Sequence, residues 1–202
     1  MATNIISPMR YLRKNTFLPL IGLSYDRQSD RTKIRAKLLV EQKGFCAYSE
    51  RFIRYTDETH IEHFDPRLKE TLQDDYFNWY AVLPWFNSHK SKQIEPFLPI
   101  LSPNSPDLFD RIAYQKGVGI FQAVNFEDVE AKNLVHFLKW DSFELYQDCQ
   151  KHIQRIRDLF ELCGDEFLFR SKLISDKDNL SFATALKAEL GIDVEELLEG
   201  KN

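Results

Sequence analysis

The sequence is poor in cysteine and contains no long hydrophobic run. Its 202 residues include three cysteines, Cys46, Cys149 and Cys163. Their spacing offers no disulfide framework, so we expect a reducing, cytoplasmic environment. No apolar run approaches the roughly 20 residues that cross a bilayer, and the first residues lack the apolar segment of a secretory signal. These absences predict a soluble cytoplasmic protein with no membrane partner.

An excess of positive charge is also absent. The 31 Asp and Glu outnumber the 27 Lys and Arg, and the resulting net charge of −4 argues against a generic nucleic-acid-binding protein. The distribution is uneven, because residues 1–60 hold 11 Lys and Arg against 6 Asp and Glu, whereas residues 125–202 hold 10 against 17. The basic region could steer a phosphate backbone towards a nearby site. Alternatively, both regions could be ordinary solvated faces.

The pattern of apolar residues predicts an α+β fold in three parts. We expect an N-terminal arm over residues 1–30, a small strand-rich core over residues 31–124 with a preceding helix and a following hairpin, and a helical region over residues 125–202. Ser29 or Asp30 would cap the first helix. The predicted helices cover 31–43, 127–139, 141–162 and 178–191, with a short one near 86–93, the extended segments cover 51–55, 59–64 and 76–83, and a hairpin turns at 116–119.

Residues 46–92 hold the side chains that point to chemistry. Three of the five histidines lie here, together with Glu62, Asn78 and Asn87. Hydrolysis of a phosphodiester needs an activated water and charge neutralisation at the phosphate. A Mg²⁺ held by a carboxylate and an amide oxygen neutralises charge at the phosphate. A neutral histidine activates the water. The candidate residues are Glu62, His63, Asn78 and Asn87.

The spacing of these residues predicts one strand–loop–strand–helix unit. Glu62 and His63 are adjacent, and neighbouring side chains in a strand point to opposite faces. The pair can therefore serve one site only where the strand ends, and Asp65-Pro66 provides such an end. Asn78 stands 15 positions after His63, which leaves room for a loop, and Asn87 begins the helix nine positions later.

This order resembles the HNH, or ββα-metal, nuclease motif, in the branch written CAYCE … IEHF-P … N … CN..K. The matching segments are CAYSE at 46–50, IEHFDP at 61–66, Asn78, and FNSHK at 86–90. A basic helix before the motif, and a hairpin and helix after it, extend the similarity over roughly residues 30–160. The arrangement is similar to the HNH subunit of Septu-type anti-phage systems and of related retron effectors.

The resemblance implies a metal-dependent endonuclease that hydrolyses phosphodiester bonds, of DNA rather than RNA, as the effector of an anti-phage defence complex. It implies that His63 activates the water and that Glu62 and Asn78 hold Mg²⁺ or Mn²⁺. Asn87 and Lys90 would orient the histidine or contact phosphate. A co-encoded ATPase or another defence-system subunit would carry the trigger and bind the acidic C-terminal helices.

The zinc-binding cysteines of that branch are mostly replaced. Cys46 matches the first, but Ser49, Leu83 and Phe86 stand at the other three positions. A single thiolate cannot hold a tetrahedral zinc, so we expect no structural zinc. Aromatic and aliphatic residues from the two segments would pack together instead, namely Tyr48, Phe52, Leu83, Trp85 and Phe86.

Two other functions remain open from the sequence. The chain could be a catalytically inactive HNH-fold scaffold that binds a partner through its C-terminal helices, or an RNA-directed nuclease that uses the same site. One-metal chemistry does not read the sugar, so the sequence does not separate DNA from RNA. His60 and His89 have no assigned role, and His136 and His152 are expected to be structural or exposed residues.

Overall fold

Short strands and helices alternate along the part of the chain that the computed structural model describes, residues 10–12, 14 and 22–200. The strands are β1 (His60–His63), β2 (Trp79–Val82), β3 (Ile112–Gln115) and β4 (Ile120–Ala123). The α-helices are α1 (Gln28–Glu41), α2 (Pro84–His89), α3 (Leu108–Arg111), α4 (Val129–Phe137), α5 (Phe143–Cys163), α6 (Glu166–Ser175), α7 (Ala183–Leu190) and α8 (Val194–Leu198). The predicted α+β class is confirmed, and most of the predicted arm over residues 1–30 lies outside the described residues. None of the described helices combines the length and apolar character needed to cross a membrane.

The strands form two separate antiparallel hairpins. β1 pairs with β2, and β3 pairs with β4. The hairpin predicted to turn at 116–119 is confirmed, and Gly117 and Gly119 in this turn have φ angles of +78° and +81°, which glycine adopts most easily. α2 follows β2 almost directly, so the predicted strand–loop–strand–helix order is present, but the helix begins at Pro84 instead of near residue 86, and Asn87 lies inside it rather than at its start. We call residues 60–89 the ββα unit.

α1 begins earlier than its predicted start at residue 31. Its N-cap is Arg27, whose side chain makes no capping hydrogen bond, so the predicted cap at Ser29 or Asp30 is wrong. Asp30 lies inside the first turn, where its carboxylate accepts a hydrogen bond from the backbone N–H of Ser24 at 3.1 Å and pairs with Arg27 at 2.7 Å. The acid therefore ties the preceding loop to the helix instead of capping it.

One predicted extended segment is wrong, and another is shorter in the structure. In the described chain, residues 51–55 contain no strand, and Phe52 makes an isolated bridge to Phe45. The aromatic segment over 76–83 begins with a 3₁₀ turn, Tyr76–Asn78, and becomes β2 only afterwards. Aromatic residues favour strands, but here the Tyr76 ring packs in the core next to α1 without a strand partner, and Phe77 is exposed.

The β1–β2 hairpin buries side chains on both faces. Because side chains alternate along a strand, Trp79 and Ala81 face α1, whereas Tyr80 and Val82 face the opposite side. The second side is continuous with the main core, which includes residues from every helix between α4 and α8. The smaller core between the hairpin and α1 is formed by Ile34, Leu38, Ile61, Tyr76, Trp79 and Ala81.

The C-terminal region is helical, with boundaries that differ from the prediction. The helices predicted over 127–139 and 141–162 are confirmed as α4 and α5. The helix predicted over 178–191 is wrong in its first part, because Phe182 has a φ of +59° and α7 starts only after it. α6 and α8 are additional to the predicted helices.

The C-terminal helices are part of the same core as the ββα unit. Leu180 and Phe182 are buried in that core. The buried carboxylate of Glu50 accepts hydrogen bonds from the backbone N–H and the hydroxyl of Thr184 at 2.8 and 2.7 Å, at the first turn of α7. Removal of these helices would therefore uncover apolar side chains and leave Glu50 without this partner.

Candidate active site

The five predicted site residues lie on the ββα unit and at its C-terminal edge. Glu62 and His63 end β1, Asn78 directly precedes β2, and Asn87 and Lys90 lie in and just after α2. The structure joins them in three groups rather than in one. One group contains Glu62 and Lys90, a second joins His63 to Asn78 through Asp74, and a third joins Asn87 to His60.

Glu62 and Lys90 form a buried ion pair. The Lys90 Nζ lies 2.8 Å from Glu62 Oε1, and the two side chains are 1% and 5% exposed, respectively. Lys90 also donates a hydrogen bond to the carbonyl of Phe64 at 3.3 Å, and its ammonium lies 4.3 Å from the centre of the Phe137 ring. Burial lowers the pKa of Lys90, and the charge of Glu62 opposes that shift. Each charge is thus compensated mainly by the other.

His63 is paired with a carboxylate that the sequence did not single out. Its Nε2 lies 3.0 Å from Asp74 Oδ2, at an angle too oblique for a hydrogen bond. The other oxygen of Asp74 accepts hydrogen bonds from Asn78 Nδ2 at 3.0 Å and Trp79 Nε1 at 2.7 Å. Burial raises the pKa of Asp74, but the interactions with His63, Asn78 and Trp79 outweigh it, and the pKa lies below its usual value. The edge of the His63 ring meets Tyr25, with ring centres 4.4 Å apart.

Asn78 fastens the loop between β1 and β2. Its Oδ1 accepts a hydrogen bond from the backbone N–H of Asp65 at 2.7 Å, and its Nδ2 donates to the carbonyl of Asp65 at 3.1 Å as well as to Asp74. The backbone N–H of Phe64 donates to the carbonyl of Asn78 at 2.9 Å. Both amide protons and the amide oxygen are therefore engaged in holding the loop.

Asn87 contacts His60, a histidine without an assigned role in the sequence. Asn87 Nδ2 donates to His60 Nδ1 at 2.7 Å, and His60 Nε2 lies 2.9 Å from a carboxylate oxygen of Glu58. Lys92 donates to Asn87 Oδ1 at 3.2 Å. The asparagine thus connects β1, α2 and the segment after α2.

Glu62 and His63 point to different faces of β1. Pairing with β2 continues through His63, which lies opposite Trp79, so the alternation of a regular strand is kept up to that residue. Glu62 meets Lys90 next to α2, whereas His63 meets Tyr25 on the α1 side. The expected strand end at Asp65 comes too late to bring the two side chains to one face.

The donor set allows a partial fit to Mg²⁺ or Mn²⁺. A buried carboxylate such as Glu62 suits a hard cation, and the ammonium of Lys90 already shows that positive charge is accommodated beside it. Asn78 Oδ1 already accepts a hydrogen bond from the backbone N–H of Asp65, which leaves one lone pair for a cation. Among the described residues, no three His, Cys, Asp or Glu side chains cluster as a metal site.

The four positions of the expected zinc cysteines lie in buried, adjoining segments. The backbone N–H of Leu83 donates to Cys46 Sγ at 3.4 Å. The ring of Phe86 meets Tyr48 edge-on at a centre distance of 6.2 Å, which confirms the predicted contact between these segments. Phe52 packs instead on Phe45, at 5.6 Å.

Comparisons of the chain with protein-family models, with curated proteins and with solved structures find no match. Function is therefore inferred from the residues and their geometry. Sequence reasoning missed Asp74 and His60. Asp74 stands four residues before Asn78, and a carboxylate just upstream of a polar residue in an aromatic run is the signal that could have found it.

Proposed function

We propose that this chain is a metal-dependent endonuclease of the HNH type, which hydrolyses phosphodiester bonds of DNA. The observation that carries the proposal is the pairing of His63 with Asp74 beside a ββα unit that also holds a buried carboxylate, Glu62. A histidine with a carboxylate partner is suited to proton transfer at a phosphate, and Glu62 supplies a second carboxylate on the opposite face of β1. The sequence resemblance to HNH nucleases supports the same assignment.

His63 would act as the general base. Asp74 faces its Nε2, which leaves Nδ1 as the nitrogen that takes a proton from water. The negative charge of Asp74 then stabilises the imidazolium that forms, and Asn78 and Trp79 hold Asp74 in place. His63 is buried and in ring contact with Tyr25, so the site would have to open for water to reach the imidazole.

Glu62 and Lys90 would bind the cation and the phosphate, respectively, on the other face of β1. Glu62 is the residue that would hold Mg²⁺ or Mn²⁺, which supplies charge neutralisation at the phosphate when bound. Lys90 pairs with the carboxylate at 2.8 Å and would turn to a phosphate oxygen when the cation binds. In this scheme Asn78 acts through the loop, by positioning Asp65 and Asp74, and Asn87 positions His60.

We further propose that the chain is the effector subunit of an anti-phage defence complex with a co-encoded ATPase or another subunit as partner. The Septu resemblance supports this proposal, as do exposed apolar side chains on α5 and α6. Leu162 is 85% exposed and Phe167 is 83% exposed. Leu162→Asp with Phe167→Asp should abolish co-purification with a co-expressed neighbouring ATPase, whereas Leu72→Asp, at another fully exposed leucine, should not. Equal recovery with both variants would contradict this docking surface.

A catalytically inactive scaffold is the second candidate. The observation in its favour is that Glu62 is already neutralised by Lys90 and lies on a different face of β1 from His63. An RNA-directed nuclease would use the same residues as the DNA nuclease, and the substrate assay decides between them.

The test is incubation of the purified chain with plasmid DNA and with total RNA, in Mg²⁺, in Mn²⁺ and in EDTA. We expect metal-dependent cleavage by the wild type and by His136→Ala, whose exposed histidine lies on α4, and none by His63→Ala. EDTA should stop cleavage without unfolding the chain. Full activity in His63→Ala would contradict the assignment, and absence of cleavage by the wild type with its partner would favour the scaffold.

A further inference from the structure

A cleft of about 460 Å³ lies between α1 and the start of β1. α1 contributes Arg31 and Arg35, and the ββα unit contributes His60 and Asn87. The remaining lining is neutral, and none of the described residues that line the cleft is acidic. Two guanidinium groups on a concave surface are suited to an anion, whereas His60 is already paired with the carboxylate of Glu58 at 2.9 Å.

The arginines of the cleft differ from all others whose side chains are described. Ten arginine side chains are described, and eight of them lie within ion-pair distance of a carboxylate. The two without such a carboxylate in the described chain are Arg31 and Arg35, which both line the cleft. Even Arg27, the N-cap residue of α1, pairs with Asp30 at 2.7 Å. The cleft therefore holds both of the described arginine side chains that no described carboxylate neutralises.

Arg31 is already held in place for a ligand. Its Nε donates to the carbonyl of Tyr25 at 2.7 Å, its Nη1 donates to Gln28 Oε1 at 3.1 Å, and the guanidinium stacks over the Tyr25 ring at 4.4 Å. A guanidinium has five N–H donors, so several remain for an incoming anion. Arg35 is exposed one helical turn further along the same face of α1.

The cleft adjoins the proposed catalytic groups. Tyr25 lines it and also covers His63, with ring centres 4.4 Å apart. Asn87 lines it too and lies on α2, three residues before Lys90. A polyanion that lies in the cleft would therefore lie against Tyr25, whose ring contacts His63.

We propose that this cleft binds consecutive phosphate groups of a nucleic-acid backbone next to the proposed catalytic residues. The inference rests on the proposed function for the identity of the ligand. Arg31 and Arg35 lie about 6 Å apart along the helix axis, since each residue advances a helix by about 1.5 Å. Two separated cationic groups in an open cleft suit a chain of phosphates better than a single one.

The test measures binding in EDTA, where cleavage cannot interfere, by fluorescence anisotropy of a short labelled DNA duplex, a single-stranded DNA and an RNA. The variants are Arg31→Glu with Arg35→Glu, and Arg35→Glu alone, because Arg31 also contacts the loop at Tyr25. The matched control is Lys33→Glu with Lys37→Glu, which changes the charge by the same amount on exposed residues of α1 outside the cleft. Thermal unfolding checks that each variant is folded.

We expect the double arginine variant to bind roughly tenfold or more weakly, and the slope of log affinity against log salt on the duplex to fall by about 2, because each phosphate contact contributes about 0.9. The lysine control should weaken binding by less than about threefold, since charges beyond a Debye length are screened. Arg35→Glu alone should give about half of the slope change. Equal weakening of binding by the double arginine variant and the double lysine variant would contradict the proposed phosphate site. Absence of wild-type binding at about 50 mM salt would contradict it too. Competition by inorganic phosphate as strong as that by the duplex would show a site for a single anion instead.

Failure of this inference can be distinguished from failure of the proposed function. His63→Ala is expected to abolish cleavage and to retain binding. If the arginine variants bind normally while the wild type cleaves in Mg²⁺, the phosphate-binding role of the cleft is wrong and the nuclease assignment stands. If the arginine variants lose binding while the wild type never cleaves, the phosphate-binding role of the cleft is supported and the nuclease assignment is contradicted.

Discussion

The two faces of β1 hold their ionisable groups in different ways. On the side next to α2, Glu62 and Lys90 are full opposite charges that neutralise each other in a buried pair at 2.8 Å. On the α1 side, His63 faces Asp74 at 3.0 Å, and this carboxylate is held by two neutral donors, Asn78 and Trp79. The ordinary pKa of histidine lies near neutral pH, whereas the ordinary pKa of lysine lies well above it. We therefore assign proton transfer to the α1 side and charge neutralisation to the α2 side.

The largest expected effect on stability comes from breaking the Glu62–Lys90 pair. Lys90→Met leaves the buried Glu62 carboxylate without its cation, which should lower the free energy of unfolding by roughly 3–5 kcal/mol. Glu62→Gln combined with Lys90→Met should cost less than Lys90→Met alone, because no unpaired charge remains. Urea denaturation measures both. Lys92→Met, at an exposed lysine, is the control. A loss below about 1 kcal/mol for Lys90→Met, typical of surface pairs, would show that the pair is not closed to solvent.

A smaller effect is expected from Asn78 on the α1 side. Asn78→Ala removes three hydrogen bonds that hold Asp65 and Asp74. At about 1 kcal/mol for each hydrogen bond, the free energy of unfolding should fall by roughly 2–3 kcal/mol. Asn78→Asp keeps the acceptor but loses the donor to Asp74, so it should be no better than Asn78→Ala. If urea denaturation showed that Asn78→Asp is as stable as the wild type, the role of the amide protons would be contradicted.

The smallest expected effect is a pH dependence carried by Asp74. Its pKa is lower in the folded chain than in the unfolded chain, where it is about 3.9. The group therefore adds stability above about pH 3.9, and that contribution is lost as the pH falls through the lower folded pKa. The difference in unfolding free energy between the wild type and Asp74→Asn should shrink as the pH falls below about 4. A difference that stays constant over this range would show that Asp74 contributes no ionic interaction.

The sequence predicted much of the fold where local patterns decide the structure. Gly164 ends α5 with a φ of +62°, and the glycines at 117 and 119 form the turn between β3 and β4, because glycine adopts such conformations more easily than other residues. Phe182 also has a positive φ, but nothing local predicts this for a phenylalanine. Its burial in the core and the hydrogen bonds of Glu50 to Thr184, 134 positions away, hold the chain there. Tertiary contacts of this kind are not visible in a local pattern.

The candidate site was predictable as a set of residue types but not as a set of partners. The spacing correctly indicated that Glu62, His63, Asn78 and Asn87 lie in one strand–loop–strand–helix unit. It did not indicate that Lys90 would pair with Glu62, since that depends on how α2 packs on β1. Nor did it indicate Asp74, which lies in the β1–β2 loop and reaches His63 because Asn78 fastens that loop.

The most direct test of the assignment to the two faces is the Mg²⁺-dependent cleavage rate of Asp74→Asn, compared with Asp75→Asn under single-turnover conditions. The two substitutions make the same chemical change at adjacent positions, but Asp75 is exposed and accepts from the backbone N–H of Phe77 at 2.9 Å, away from His63. We predict that Asp74→Asn lowers the rate about 10²-fold or more, with nucleic-acid affinity unchanged, and that Asp75→Asn cleaves like the wild type. Equal rates for Asp74→Asn and the wild type would contradict proton transfer on the α1 side of β1.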